Sequence, residues 1–261
     1  MTDKILSQIS PVYGFCPFDR ISSSLIDCRA KSRIPENARS VIVVLFPYYL
    51  GEDAYEGSDI SKYAVVPDYH NTLVNILQNA SQRLKEAYPD EEFVVFADNS
   101  PVPEVKAATL AGLGVQGLNG LFINKDFGSW VFIGEIVTTK EYAYPEISPS
   151  AVCIECRKCI DSCPTKAIDE NGVNPTQCLS YITQKKGELT PEQEALIKES
   201  GCAWGCDICQ NVCPMNKNIK IQPLDSFREG AEIKARETDI SDRAYAWRGE
   251  KVIKRNLNLL K

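Results

Sequence analysis

The sequence predicts an α/β protein in two modules: an N-terminal α/β domain followed by a ferredoxin-like cysteine domain. Three observations carry this. Short β-branched and aromatic runs lie at residues 40–47 and 92–97, the pattern of strands buried on both faces. Between them, apolar residues recur at spacings of three and four. Beyond about residue 150 the composition changes to Cys, Pro, Asn and Gly, and nine of the eleven cysteines fall between Cys153 and Cys213.

In chain order, Ser40 to Pro47 is the first strand. Tyr69, Leu73, Ile76, Leu77, Ala80, Leu84 and Ala87 mark an amphipathic helix over 68–88, and Glu92 to Ala97 is the second strand. A helix over 101–110 stops at the glycine-rich Gly112-Leu-Gly-Val-Gln-Gly117, and strand-like runs follow at 121–123 and 130–137. Tyr144 to Pro149 reads as a linker. The expected domains are 1–147, 148–222 and a charged, helix-prone tail over 223–261, which has eight Lys or Arg against five acids from Glu232 onward.

With 261 residues, 44% hydrophobic and 25% charged, the chain reads as globular, with one or two domains. No run of 18 apolar residues occurs, and the N-terminus lacks a basic segment followed by an apolar stretch, so the expected location is the cytosol. Lys plus Arg number 29 and Asp plus Glu 35, a net charge of −6. That balance argues against a broad nucleic-acid surface and permits a local basic patch.

Clustered cysteines without an export signal point to metal ligation rather than disulfides. Cys153, Cys156, Cys159 and Cys163-Pro164 form C-x2-C-x2-C-x3-C-P, and Cys206, Cys209 and Cys213-Pro214 form C-x2-C-x3-C-P. Thiolates at this spacing wrap three corners of an iron-sulfur cube, and the cysteine before proline reaches the other cluster. Tetrahedral zinc sites use pairs of C-x2-C and leave no use for the remaining cysteines. Two 4Fe-4S clusters are therefore expected: Cys153, Cys156, Cys159 and Cys213 hold one, and Cys163, Cys206, Cys209 and one more hold the other. Spacing leaves Cys178 and Cys202 open for the last place. Cys16 and Cys28 have no partner motif and read as plain thiols. Such clusters move single electrons, so a ferredoxin-type carrier is one reading. The roughly 150 residues before them, with a glycine-rich loop, favour an enzyme fed by the clusters.

Several stretches together resemble the epoxyqueuosine reductase family: Pro67-Asp-Tyr-His70, Ala97-Asp-Asn-Ser-Pro101, Ala111-Gly-Leu-Gly114, Phe127-Gly-Ser-Trp-Val-Phe-Ile-Gly-Glu135, Cys178-Leu-Ser-Tyr-Ile-Thr-Gln-Lys-Lys-Gly187, Gly205 through Pro214 and Trp247-Arg-Gly249. The glycine-rich segment and cysteine arrangement are also similar to the cobalamin-dependent reductive dehalogenases. The resemblance implies a cobalamin-binding α/β domain and a double-cluster domain that together reduce epoxyqueuosine in tRNA to queuosine. An external one-electron donor such as a flavodoxin or ferredoxin would supply the electrons. It implies Cys178 as the fourth ligand of the second cluster, leaving Cys202 as an extra thiol. It implies Asp98 as proton donor, and Tyr69, Asp98, Gly128, Ser129, Trp130 and Ser180 as cofactor neighbours.

Asp98 sits at the carboxyl end of a predicted buried strand, where α/β sheets place functional residues. An apolar, cobalamin-roofed pocket, as the resemblance implies, would raise its pKa and let it act as a general acid near neutral pH. The rival reading is a turn or cap before Ser100-Pro101. His70 is more often a packing residue, and Gly128 to Trp130 could be an edge turn with a buried tryptophan. The chain departs from the family at Gly117-Leu-Asn119, where a basic residue is usual, and at Pro67. It also stops at Lys261, where typical members continue into a helical-repeat extension that helps hold tRNA. The remaining expected RNA surface is Lys185, Lys186, Arg243, Arg248, Lys251, Lys254 and Arg255; its rival is a solvated helix face. The alternatives to the tRNA reading are an electron-transfer protein and a corrinoid reductase acting on a small molecule.

Overall fold

Ser40–Pro47 is apolar along its whole length because both of its faces are covered: every residue of this strand, β2, is buried. The computed structural model describes residues 1–144 and 153–261; the expected linker lies, from residue 145 on, outside the described residues. By contacts the chain divides into two units.

Unit 1 comprises Met1–Pro47, His70–Gln116 and Leu121–Cys153. Its sheet has the order β1-β2-β6-β3, with β1 at Val12–Pro17, β3 at Phe93–Ala97 and β6 at Val131–Thr138. All three pairings are antiparallel. The period of two along β6 sends Ile133, Glu135 and Val137 to one face. There Ile133 and Val137 join Ala107, Ala108 and Phe96 in a core with the helix Glu104–Leu110. Gly134 points to the other face. A Cβ there would meet Leu77 at 2.6 Å, so glycine lets the long helix Tyr69–Ala87 pack closely on the sheet. The run at 121–123 is not part of this sheet. Phe122–Ile123 (β5) pairs with Val115–Gln116 (β4) in a separate ribbon.

Unit 2 comprises Tyr48–Tyr69, Gly117–Gly120 and Ile154–Lys261. Tyr55, Ile60, Val65, Trp204, Tyr245, Val252 and Ile253 form its main apolar core. Trp204 is fully buried, and its indole N–H donates to Tyr63 Oη at 2.7 Å. The C-terminal helix Glu250–Leu260 belongs to this core. Its buried Asn256 donates to the carbonyls of Thr183 and Ala203, both at 2.7 Å. The cysteine segment has short elements only: helices Lys158–Ser162, Leu179–Gln184 and Ile208–Asn211, the strands β7 (Ile168–Asp169) and β8 (Gly172–Val173), and one longer helix, Pro191–Ser200. Among the described residues no helix is long and apolar enough to cross a membrane.

Candidate functional site

In unit 1, β3 ends where Ala97 pairs with Gly134. The next two residues turn sharply, Asp98 at φ 47° and Asn99 at φ 24°. Consecutive non-glycine residues with positive φ are uncommon and cluster at functional positions. Ser100 closes the turn, its Oγ accepting from Val102 N at 3.0 Å. Asp98 is thus held at the carboxyl end of its strand, as expected, but β3 is an edge strand with only Val95 and Phe96 buried rather than a strand covered on both faces, and Ser100 rather than Asp98 caps the turn. His70, near the start of the long helix, places Nε2 2.7 Å from Asp98 Oδ2. The Asp98 side chain is 48% exposed. Its pKa lies below the ordinary aspartate value because the hydrogen bond with His70 outweighs partial burial. In the protein alone, then, His70 faces the carboxyl and favours its ionised form, opposite to the rise expected beneath a cobalamin roof.

Two acids that the sequence did not single out feel the charge of Asp98. Glu135, in β6, is 0% exposed. Burial first, and the Glu104 carboxyl second, push its pKa well above the usual carboxylate range. Glu104 opens its helix. Burial and then the charge of Asp98 push it up to about 7. The available sequence signal was Glu135 itself, a lone acid inside the apolar run 130–137.

Gly128 adopts φ 59° in a turn closed by mutual backbone hydrogen bonds with Asn124, each 2.9 Å. Asn124 Oδ1 also accepts from Asp126 N at 2.9 Å and Phe127 N at 3.2 Å. Ser129 and Trp130 are buried, at 6% and 2%. Asp98, His70 and the Gly128–Trp130 turn all belong to unit 1, whereas Tyr69 and Ser180 belong to unit 2. There the Tyr69 ring stands edge-on to Tyr63 at 6.3 Å, and Ser180 Oγ accepts from Gln184 Nε2 at 3.3 Å.

The cysteine segment of unit 2 brings thiols together. Cys159, Cys163, Cys178 and Cys209 pack into one small cluster with Ile160, Ala167, Ile168 and Val173. Cys206 acts electrostatically on Cys209, and Cys163 and Cys178 on Cys206. These contacts link Cys178 to Cys206 and Cys209, and Cys163 to Cys206; these four thiols are the ones the resemblance implies for the second cluster. Soft thiolates in fours suit an iron-sulfur cube. Among the described residues no three ligand-type side chains converge as they would on a single ion. Burial would push the Cys163 thiol up, but hydrogen bonds from Thr165, Ala167 and Ile168 outweigh it and lower its pKa. Such N–H···S contacts also tune cluster potentials. Asn119 hydrogen-bonds Cys209, so the departure Gly117-Leu-Asn119 places an amide donor at a thiol. Cys202 instead donates to the carbonyls of Trp204 at 3.2 Å and Gly205 at 3.5 Å. Cys156, Cys159 and Cys213 lie in unit 2, and Cys153 closes unit 1. Cys16 is buried, its thiol pushed up to about 12, and Cys28 is partly exposed.

The basic residues divide. Arg243 is 2% exposed and bonds Glu232 and the carbonyls of Val65 and Gly230, so it is a packing residue and not an RNA contact. Arg255 donates to the carbonyls of Lys185 and Gly187, and Lys254 pairs with Glu250 at 2.8 Å. Lys186 and Lys251 are exposed. Arg248 lies over the Trp247 ring at 3.7 Å, with that tryptophan 56% exposed.

Comparison with known proteins matches two family models to this chain. A 4Fe-4S double cluster binding domain covers residues 152–216, and the family Epoxyqueuosine reductase QueG covers 29–99. A curated epoxyqueuosine reductase of Cyclobacterium marinum is 35% identical over 205 residues, 77% of this chain and 66% of that protein. The chain spans 61 to 66% of the length of three such curated relatives, less than two thirds. Among solved structures, the epoxyqueuosine reductase of Streptococcus thermophilus superposes with a TM-score of 0.81 at 25% identity, covering 99% of this chain and 79% of that one. An epoxyqueuosine reductase solved with an epoxyqueuosine-modified tRNA-Tyr stem loop gives 0.82 at 22%, with the same coverage. A reductive dehalogenase whose structure suggests a mechanism for B12-dependent dehalogenation shares the fold at 0.57 and 16%, covering 96% of this chain and 34% of that one.

Proposed function

This chain belongs to the epoxyqueuosine reductase family, and from that premise we propose that it is a cobalamin-dependent iron-sulfur reductase that converts epoxyqueuosine in tRNA to queuosine. The observation that carries the reading is the set Cys163, Cys178, Cys206 and Cys209, gathered within a segment that matches a 4Fe-4S double cluster binding domain. A site built to pass single electrons needs a terminal acceptor. The function assigned to the family supplies one, an epoxide. The remaining ligands of this proposal are Cys153, Cys156, Cys159 and Cys213 on the first cluster. Residues 1–147 would be the catalytic domain, 148–222 the cluster domain and 223–261 the C-terminal segment, in a cytosolic protein served by an external one-electron donor.

Bound corrinoid would supply the low-potential one-electron chemistry at the substrate. Tyr69, Asp98, Gly128, Ser129, Trp130 and Ser180 are its candidate neighbours. The observation in unit 1 that suits such a group is the Asp98 turn: a half-exposed carboxyl fixed by His70 and by left-handed backbone. Reduction of the epoxide to the alkene breaks two C–O bonds and forms one C=C bond. It takes up two electrons and two protons and releases water. The Asp98–His70 pair, joined through Oδ2 at 2.7 Å, would hold the proton that goes to the departing oxygen, with Asp98 as the proposed general acid.

Anaerobic reconstitution with iron, sulfide and cobalamin, followed by absorbance spectroscopy, tests the cofactors; a protein that retains no corrinoid overturns the reading. Queuosine in tRNA from cells lacking the protein tests the substrate. Unchanged queuosine would leave a small-molecule corrinoid reductase in its place.

A further inference from the structure

A cluster bonded to Cys206 and Cys209 needs both thiols aimed at one point, and the helix that carries Cys209, Ile208–Asn211, is only four residues long. Such a turn does not hold its own direction. We propose that Asp207 is the positioning residue of the second cluster, its carboxylate seating the loop of Cys206 and Cys209 on Ser61 and Lys62 and so fixing the direction of both thiols. This rests on the reading above for the ligand set and does not depend on the substrate.

Asp207 follows one thiol directly and precedes the other by two residues. Its Oδ1 accepts from the Ser61 hydroxyl at 2.7 Å and from Gln210 Nε2 at 3.2 Å, and its Oδ2 accepts from the Lys62 backbone N–H at 2.6 Å. All three partners are donors, as suits an ionised carboxylate. Ser61 and Lys62 stand where the helix Lys62–Val65 begins, and both are buried. Lys62 also holds the far end of the short helix, its Nζ donating to Asn211 Oδ1 at 2.7 Å, with Glu52 Oε1 3.5 Å from the same nitrogen. One dipeptide therefore grips the segment at 207 and at 211, about one helical turn apart, with Cys209 midway between.

The backbone extends this seat. Ser61 N donates to the Trp204 carbonyl at 2.8 Å, and Ala203 N to the Asp59 carbonyl at 2.6 Å. Gly205, at φ 81°, lies so close that a Cβ there would stand 2.4 Å from the Ser61 Cβ. All of these residues belong to unit 2. The ordinary use of an aspartate at this place is to cap the helix that follows. Asp207 is the N-cap residue of Ile208–Asn211, yet its side chain makes no capping hydrogen bond to that helix. Its oxygens are turned instead to partners 145 and 146 positions earlier in the chain. Hydrogen bonds of this outer kind orient the groups that bond the metal, and losing one typically costs about 10- to 100-fold in metal affinity.

The reconstituted full chain, with about eight iron atoms per molecule, is treated anaerobically with an iron chelator. Asp207→Ala should release about four of them at least about 10-fold faster than wild type, and the other four at the wild-type rate. Ser61→Ala removes one donor and leaves the carboxylate, so its release should fall between the two. Asp207→Asn keeps the shape and removes the charge beside Cys206. In an EPR-monitored titration at pH 8 it should raise the midpoint potential of one cluster, by about 10-fold in the reduction equilibrium, which is 59 mV for one electron, and leave the other in place. Slow exchange of the Trp204 indole N–H, bonded to Tyr63 Oη, checks the fold; where Asp207→Ala loses it, Ser61→Ala and Asp207→Asn decide. Iron released at the wild-type rate in folded variants, or both clusters moving together, overturns the proposal and leaves the proposed function standing. A wild type that takes up no cluster overturns both. One that shows the expected release and potentials but never reduces epoxyqueuosine overturns the function alone.

Discussion

From Ser40↔Thr138 to Pro47↔Val131, β2 and β6 of unit 1 are paired residue by residue, with apolar cover on both faces. Between Cys153 and Cys213 the strands are two residues long, most helices have four to six residues, and the apolar cluster around Cys163 has only two other buried members, Ala167 and Ile168. Glu155, Arg157 and Lys166 in that segment have φ between 50° and 63°, each costing about 1–2 kcal/mol. The sheet is held by hydrogen bonds and apolar burial that the chain makes with itself. The cysteine segment carries strained backbone over a small core and relies on bonds to clusters for the difference.

The largest effect expected from this contrast is loss of the clusters. Protein prepared without iron and sulfide should lose protection from proteolysis across 153–216, while the amides of β2 and β6 keep their slow hydrogen exchange. A cysteine segment that stays protected without iron would break the comparison. Next is a single ligand. Cys178→Ser should lower iron from about eight to about four per chain, and Cys202→Ser should leave both clusters in place. Cys202 gives up only its weak S–H bonds to Trp204 and Gly205. The reverse result would move the fourth ligand to Cys202.

A smaller effect belongs to the sheet. The folded-state pKa of Glu135 is raised, so the native chain holds a proton that the unfolded chain releases once pH passes the ordinary glutamate value. Stability from this group is fully present below that value and is lost as pH rises toward the folded pKa, by at most about 1.4 kcal/mol per pH unit. Glu104, raised to about 7, acts in the same direction. Glu135→Gln should therefore be less sensitive to pH than wild type between pH 5 and 8, read from urea midpoints of β6 hydrogen exchange. Parallel curves would show that Glu135 does not hold its proton in the native state.

The two regions were also unequally legible. Apolar pattern alone placed Ser40–Pro47 at its observed bounds and the long helix to within one residue at each end, because burial on both faces and a 3.6-residue period leave direct marks. The helix expected from Pro101 begins at Glu104, after two prolines and the Asp98 turn have set the chain direction. β1 carried no such mark. Gly14 and Pro17 argue against a strand, and its pairing with β2 is a tertiary event. A Cβ at Gly14 would stand 2.7 Å from the Ala111 carbonyl, which is why a strand breaker sits there. The cysteine spacing was legible because ligand geometry acts over three or four residues. The choice of Cys178 came from resemblance, since a cluster corner can be filled from any distance along the chain. Glu104 and Glu135 escaped notice because their chemistry arises from three segments meeting, not from any motif.

The smallest effect sharpens where the line between the regions falls. The helix Pro191–Ser200 lies between Cys178 and Cys206, yet it is built by ordinary local rules. Thr190 Oγ1 accepts from Gln193 N at 3.3 Å, Gln193 Oε1 accepts from Thr190 N at 3.2 Å, Pro191 opens the first turn and Gly201 closes the last at φ 63°. Its Ile197 packs with Leu179 and Ile182, next to Cys206. Thr190→Ala removes one arm of the capping box and should cost about 1 kcal/mol, seen as faster exchange in the first turn of this helix. Iron content should not change, because the cap supports the helix end and not a ligand. If iron fell with the cap, the helix would be part of the cluster scaffold. Local hydrogen bonds, and not metal bonds alone, would then hold the cysteines in place.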